Sequence, residues 1–234
     1  MSQRRKTRTK FTRAKLTRGK PDSDKAAHHL RRKKHFKREV AAEAARIIAT
    51  EGQYNYHAAK KKAAMRIGVS DRLALPSNRE VQDALYTYIQ LYGGDDHQQN
   101  LRDMRAAAAA AMRFLSPMHS RLVGPVLDGT AGRHARITLH VFCDSPDNLV
   151  HHLMNHNMPF RQEQRQIRWR NDQHKMLPLM VMERDSYTFE MLAFDEVQLR
   201  QAPPCPIDGK PQKRAGLAEV EQLSGITTPR AALA

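Results

Sequence analysis

The stretch 128–142 carries the residues whose types and spacing are best suited to binding or chemistry. Gly129-Thr130 forms a turn after an apolar run, and the alternating segment that follows is typical of a strand. Side chains two residues apart on a strand point to the same side of the sheet. Arg136, Thr138 and His140 therefore lie on one side of the predicted strand, and the Gly129-Thr130 turn comes shortly before it.

The segment from the first strand to Glu190 resembles the nucleotidyltransferase superfamily (polymerase-beta-like) over about residues 117–200. The resemblance implies that the Gly129-Thr130 turn, which matches a Gly-Ser pair in the family, helps to hold nucleotide phosphates. It also implies that the following strand carries two carboxylates one residue apart, which bind the Mg²⁺ ions that neutralise the triphosphate. A third carboxylate comes from a later strand in that family.

The chain departs from this pattern at the metal site. In one register the two carboxylate positions hold Arg136 and Thr138, and in the other they hold Thr138 and His140, so neither register supplies an acid. An arginine there repels Mg²⁺. Glu190 matches the third carboxylate and Asp128 lies beside the turn, so these two acids are the candidates for catalysis. The resemblance then implies a divergent relative in which metal-dependent transfer is lost, but in which a polar pocket still binds a nucleotide or an RNA phosphate. The pocket would be lined by Gly129, Thr130, Arg136, Thr138 and His140. No cofactor is firmly predicted, Mg²⁺ is expected only if transferase activity remains, and the question of enzymatic activity stays open.

The helical N-terminal part of the chain offers a second function. Residues 45–52 and 58–70 resemble the first two helices of a helix-turn-helix DNA-binding domain of the TetR type, with small residues where helices meet and then Gly68. Lys60, Lys61 and Lys62 would then form a phosphate-contacting surface. The other interpretation is a helical cap that packs on the rest of the protein, because Pro76 interrupts the segment that would be the recognition helix.

Positive charge is concentrated at the N-terminus of this 234-residue chain. Residues 1–38 hold 16 Lys or Arg against two Asp, a net charge of +14, whereas the other 196 residues hold 24 basic and 22 acidic side chains. Such a segment binds polyanions through phosphate contacts that carry no sequence information. We therefore expect the arm to bind RNA or DNA. Its predicted contact residues are Arg4, Arg5, Lys6, Arg31, Arg32, Lys33 and Lys34.

The order of helical and strand-like patterns predicts an α+β fold, with a helical unit followed by a small mixed sheet. Helical spacing runs from Phe36 to Pro117, and strand patterns follow at 121–127, 136–142, 166–170, 177–183 and 187–194. The predicted organisation has four parts. They are a disordered basic arm at 1–35, a helical domain at 36–116, a nucleotidyltransferase-like domain at 117–200, and a loop with a short helix at 201–234.

Cysteine and histidine usage predicts neither a disulfide scaffold nor a metal site. Two cysteines are too few for a disulfide framework in a chain of this length, which is typical of a reducing compartment. His152 and His156 have a spacing that can chelate zinc, but no further ligand stands nearby in the sequence. No apolar run approaches the ~20 residues of a membrane span. We expect a cytoplasmic protein of bacterial type with no membrane partner.

Overall fold

The computed structural model describes residues 23–52, 55–68, 75–169 and 173–225. Four helices come first, and their ends follow local capping signals: Asn55 caps the second helix, and Ser77 forms a capping box with Glu80 at the third. Gly68 ends the second helix in the left-handed conformation that glycine favours. The four helices are α1 (Ser23–Glu51), α2 (Tyr56–Ile67), α3 (Asn78–Tyr92) and α4 (Gly94–Phe114).

Helix α1 begins 13 residues before the predicted start of helical structure at Phe36. The sequence predicted disorder over 1–35, so the prediction is wrong for 23–35, and residues 1–22 lie outside the described part. Disorder is the expectation from composition, because the charged segment has few large apolar side chains to bury. However, Arg and Lys have good intrinsic helix propensity, and a helix that is already formed further along the chain extends without a new nucleation step.

The strands follow α4 and form one five-stranded mixed sheet, which confirms the α+β class. The sheet order is β1-β2-β5-β4-β3, and the pairing of β2 with β5 is parallel while the other pairs are antiparallel. The strands are β1 (His119–Val123), β2 (Ile137–Phe142), β3 (Arg161–Arg168), β4 (His174–Arg184) and β5 (Tyr187–Phe194). The remaining helices are α5 (Pro125–Asp128), α6 (Pro146–Asn155) and α7 (Leu217–Ser224), with a 3₁₀ turn at Glu196–Leu199.

Two strands differ from the prediction for identifiable reasons. The predicted strand at 121–127 ends at Val123, because Gly124 adopts a φ of 74° and Pro125 then starts the short helix α5. Strand β3 begins at Arg161, five residues earlier than predicted. Its sequence RQEQRQIR has no apolar alternation, since it is an edge strand with mostly exposed side chains.

The described residues form a helical core and two cores on opposite faces of the sheet. Buried alanines and aliphatic residues of α1, α2 and α3 form the first core, which we call the helical unit. Helix α4 packs its apolar side on one face of the sheet with α6 and α7. The predicted domain boundary at 116 therefore follows a helix that belongs to the core of the sheet.

The other face of the sheet is covered by the segment that follows β5 rather than by long helices. Phe142, Leu192 and Phe194 are buried there against Trp169 and Leu199. The segment then returns to the sheet, where Ala215 pairs with Leu122 on the outer side of β1. Within the described ranges, no helix is both long and apolar enough to cross a membrane.

Candidate functional site

Polar residues on the face without long helices come from alternate positions of β2 and β5. Ile137, Leu139 and Val141 point into the core under α4, so Thr138 and His140 occupy the opposite face. Glu190 of β5 lies directly beside Thr138 in the parallel pairing. It is 4% exposed, which makes it a buried acid on an otherwise largely apolar surface.

Two arginines share the Glu190 carboxylate. Arg136 Nη1 donates to Oε1 at 2.6 Å, and Arg165 donates through Nη1 and Nη2 to Oε2 and Oε1, both at 2.6 Å. The strand register places Arg161, not Arg165, in the row of Glu190, through Val181 of β4. The Arg165 side chain therefore reaches diagonally across β4 to make this bidentate contact, the strongest geometry between a guanidinium and a carboxylate.

The ionised form of Glu190 is the stable one in this environment. Burial raises the pKa of its carboxyl, but the hydrogen bonds and charges of Arg165 and Arg136 outweigh burial and bring the pKa below its usual value. The negative charge is thus used to hold two guanidinium groups. Arg136 is 55% exposed and Arg165 is 35% exposed, so both guanidiniums also reach the surface.

His140 is buried on the same face and is held neutral. Burial, together with the charges of Arg214 and Arg165, lowers its pKa to about 3. Its Nδ1 accepts a hydrogen bond from Arg214 Nε at 3.2 Å. His140 therefore acts as a hydrogen-bond acceptor for an arginine at neutral pH rather than as a cation.

Arg214 brings a charge into a mostly apolar environment. Its guanidinium lies over the rings of Phe142 and Phe194, at 4.9 and 5.3 Å from their centroids, and Nη1 donates to the carbonyl of Gln198 at 2.8 Å. Among the described residues Nη2 has no hydrogen-bond partner, and no carboxylate contacts the group. Burial and the charge of Arg121 lower the pKa of Arg214 to about 10.

Arg121 is a further arginine on this face, because it lies directly opposite His140 in the pairing of β1 with β2. One of its nitrogens donates to the carbonyl of Ser120 at 2.8 Å. Two guanidinium groups thus share the Glu190 carboxylate, and two more lie beside the neutral imidazole of His140. We call this surface the arginine face, and its members are Arg121, Arg136, Arg165 and Arg214.

The predicted Gly129-Thr130 turn lies against α3 and α4 rather than on the arginine face. The Tyr86 hydroxyl donates to the carbonyl of Asp128, and the His97 ring lies 3.2 Å from the carbonyl of Gly129. Thr130 is 3% exposed, and burial raises the pKa of Asp128. The structure therefore brings Arg136, Thr138, His140 and Glu190 together, and it places Asp128, Gly129 and Thr130 in a separate environment.

The predicted nucleic-acid contacts fall into three groups. Lys60 donates to the carbonyl of Pro76 and to Asn78, and Lys62 pairs with Glu51, so both have intramolecular partners, whereas Lys61 is exposed. A second group of cations lies on α1, namely Arg31, Arg32, Lys33 and Lys34. Arg4, Arg5 and Lys6 lie outside the described residues.

The described residues contain no group of three or more His, Cys, Asp or Glu side chains that could hold a metal ion. His152 and His156 use ring nitrogens locally: one lies 2.9 Å from the carbonyl of Phe114 and the other 2.8 Å from the carbonyl of His152. The two acids predicted as candidates for catalysis do not form one site, because Asp128 and Glu190 occupy different environments.

Three of the four arginines were not predicted from the sequence. Arg165 lies in the part of β3 that has no strand periodicity, and Arg214 lies in a Pro-rich loop, 74 residues from its partner His140. Arg121 was placed in a strand, but its opposition to His140 depends on the pairing. The excess of basic residues at 161–170 and 210–214 is the available sequence signal, and it does not indicate which of them meet.

Comparison of the sequence with models of protein families and with curated proteins finds no match. The functional argument therefore depends on the side chains of the arginine face.

Proposed function

We propose that this protein binds phosphate groups of a nucleotide or of RNA on the arginine face, without metal-dependent nucleotidyl transfer. The observation that carries the proposal is the charge of this face: two guanidinium groups share the carboxylate of Glu190, His140 stays neutral, and among the described residues neither Arg121 nor Arg214 contacts a carboxylate. Buried or half-buried cations normally have a paired anion. The unbalanced charge fits an anionic ligand.

The register of the sheet supports a divergent relationship to the nucleotidyltransferases. Glu190 stands beside Thr138, where the resemblance expects the third carboxylate beside the strand that carries the other two. Arg136, Thr138 and His140 supply no acid in those places. Two arginines already neutralise Glu190, so a Mg²⁺ ion would meet repulsion instead of a second carboxylate. Phosphate recognition is the part of the family chemistry that this face can retain.

Glu190 has a positioning role in this proposal. A guanidinium carries five N–H donors; Arg165 uses two of them on Glu190 and Arg136 uses one. The remaining donors are held on side chains that can no longer rotate freely, which lowers the entropic cost of binding a ligand. Arginine forks match the geometry of phosphate oxygens and give directional, charge-assisted hydrogen bonds.

The test compares Arg136→Gln with Arg113→Gln in the full chain. Arg136 is 55% exposed and contacts Glu190, whereas Arg113 lies on α4, on the opposite side of the sheet, is 41% exposed and pairs with Glu221 at 2.7 Å, so it is the matched control. Fluorescence anisotropy with a labelled single-stranded RNA, at salt high enough to weaken the N-terminal arm, gives the affinity. We expect Arg136→Gln to weaken binding about tenfold, or about 1.4 kcal/mol, and Arg113→Gln to change it little.

Two results would contradict the proposal. One is equal RNA affinity and equal thermal stabilisation by nucleoside triphosphates in the two variants, which would show that the arginine face does not contact phosphate. The other is stabilisation of the unmodified protein that requires Mg²⁺, because the proposed contacts need no metal. Stabilisation that is the same with Mg²⁺ and with excess chelator supports the proposal.

A further inference from the structure

The first half of α1 is a helix that extends beyond the core of the protein. From Val40 onward, residues such as Ala41 and Ala44 are buried against α2 and α3. None of the side chains described between Ala27 and Glu39 is buried. At a rise of about 1.5 Å per residue, the helical segment 23–38 is about 24 Å long, and we call it the rod.

Cations lie on every side of the second half of this rod, residues 31–38. At about 100° per residue, the cations of the segment leave no arc wider than about 100° without a positive charge. The carboxylate of Glu39 pairs with His35 at 3.3 Å and does not neutralise them. The cations are Arg31, Arg32, Lys33, Lys34, Lys37 and Arg38.

This distribution distinguishes between the anionic surfaces that a basic helix can bind. A membrane-surface helix needs an apolar stripe opposite its charges. Here Leu30 and Phe36 lie about 120° apart around the helix, and the Arg32 guanidinium covers the Phe36 ring at 5.4 Å. A helix with charges on all sides can contact phosphates on both sides of a groove at once.

Groove dimensions select the kind of duplex. The major groove of B-form DNA is about 12 Å wide and accepts a helix, whose diameter with side chains is about 10–12 Å. The major groove of an A-form RNA helix is deep and too narrow for side chains to read. We propose that the first half of α1, residues 23–38, docks in the major groove of duplex DNA. The proposal does not depend on the arginine face, since different residues carry it.

The first test removes charge and keeps the helix. A variant with Gln at four exposed positions of α1 is compared with a variant with Gln at four exposed positions elsewhere, both in the full chain. Gln and the replaced residues have similar helix propensity. The α1 positions are Arg31, Arg32, Lys34 and Arg38, and the control positions are Arg79, Arg102, Arg200 and Lys210.

The measurement is the salt dependence of binding to a duplex DNA of about two helical turns. Each phosphate contact contributes about 0.9 to the slope of log K against log salt, so the α1 variant should lose about 3 to 4 units of slope and the control close to none. Equal slopes in the two variants would overturn the proposal.

The second test removes the helix and keeps the charge. Leu30→Pro interrupts α1 within the exposed segment, whereas Leu30→Ala preserves it, and both retain every cation. We expect Leu30→Pro to lose most of its preference for duplex over single-stranded DNA. Undiminished duplex binding by Leu30→Pro would mean that the segment acts as an unstructured polycation, and the proposal would fail.

Two further ligands complete this experiment. The unmodified protein should bind duplex DNA at least tenfold more tightly than an RNA duplex of the same length and than vesicles rich in anionic lipid. Equal affinity for the RNA duplex would overturn docking in the major groove. Tighter binding to the vesicles would assign the helix to a lipid surface instead.

Discussion

The helical unit and the arginine face treat charged side chains in opposite ways. On the helical unit, Glu43 and Glu51 pair with Arg46, Lys62 and Arg66, and the cations remain 38–50% exposed. On the arginine face, a carboxylate that is 6% exposed serves two arginines. Balanced surface pairs need no ligand to explain them, whereas a surplus of cations around one buried carboxylate does.

The largest expected difference concerns the two carboxylates themselves. Glu190→Gln removes a buried charge and leaves the guanidiniums of Arg136 and Arg165 against each other, which should lower the free energy of unfolding by about 3 kcal/mol. Glu43→Gln should cost about 1 kcal/mol, since its partners are 44% and 38% exposed and water screens the pairs. Urea unfolding measures both variants.

Added salt should increase the difference in stability cost between Glu190→Gln and Glu43→Gln. Near 1 M salt the Debye length falls to about 3 Å, so the cost of Glu43→Gln should largely disappear while that of Glu190→Gln persists. Equal costs for the two variants at low and high salt would mean that burial does not separate the two regions. The Gln side chain keeps the shape of Glu, so neither comparison depends on a cavity.

The pH dependence of stability should come from the arginine face through His140. The pKa of His140 is about 3 in the folded protein and about 6.5 in the unfolded chain. Below pH 6.5 the imidazole is therefore protonated in the unfolded chain but stays neutral in the folded protein. Stability contributed by the neutral imidazole is thus complete above pH 6.5. It should fall by about 1.4 kcal/mol per pH unit as the pH drops from about 6.5 towards 3.

The matched variant is His140→Asn, whose side-chain oxygen can still accept from Arg214. Urea unfolding at pH 7, 6 and 5 should show a shallower loss of stability in the variant than in the unmodified protein. If the stability of both proteins falls equally with pH, His140 takes up its proton in the folded state over this pH range. Its surroundings would then be less positive than we infer for the arginine face.

The last expected effect concerns packing in the helical unit. Ala63 of α2 is fully buried where small side chains let the helices approach closely, so Ala63→Leu should cost about 1–3 kcal/mol by overpacking. Ala110 is exposed on α4, so Ala110→Leu should stay within about 0.5 kcal/mol. Thermal unfolding separates the two, and an unaffected Ala63→Leu would indicate a loosely packed helical unit.

Local patterns predicted much of the fold. The alternation of β2 placed Arg136, Thr138 and His140 on one face, and the signals at Gly68 and Ser77 marked real helix ends. Glu190 was singled out from the resemblance and does lie beside Thr138. These features depend on residues near one another in the chain.

The rest depends on contacts across the sheet. Arg165 reaches Glu190 from a strand two places away, and Arg214 arrives from a loop after the last strand. No periodicity encodes either contact, because each is fixed by the strand order and by the path of the segment after β5. The start of α1 differs from the prediction because none of the side chains that the structure describes in this helix before Val40 is buried.

The two edges of the sheet affect how molecules of this protein meet in solution. Ala215 exchanges backbone hydrogen bonds of 3.0 Å with Leu122, so β1 offers an incomplete row of free amides and carbonyls at its outer side. The other edge, β3, carries Arg161, Glu163 and Arg168 on an exposed strand. Charged edge strands resist pairing with a second copy, which protects native sheets from growing into fibrils. The charged side chains of β3 therefore help to keep this sheet from pairing with another copy.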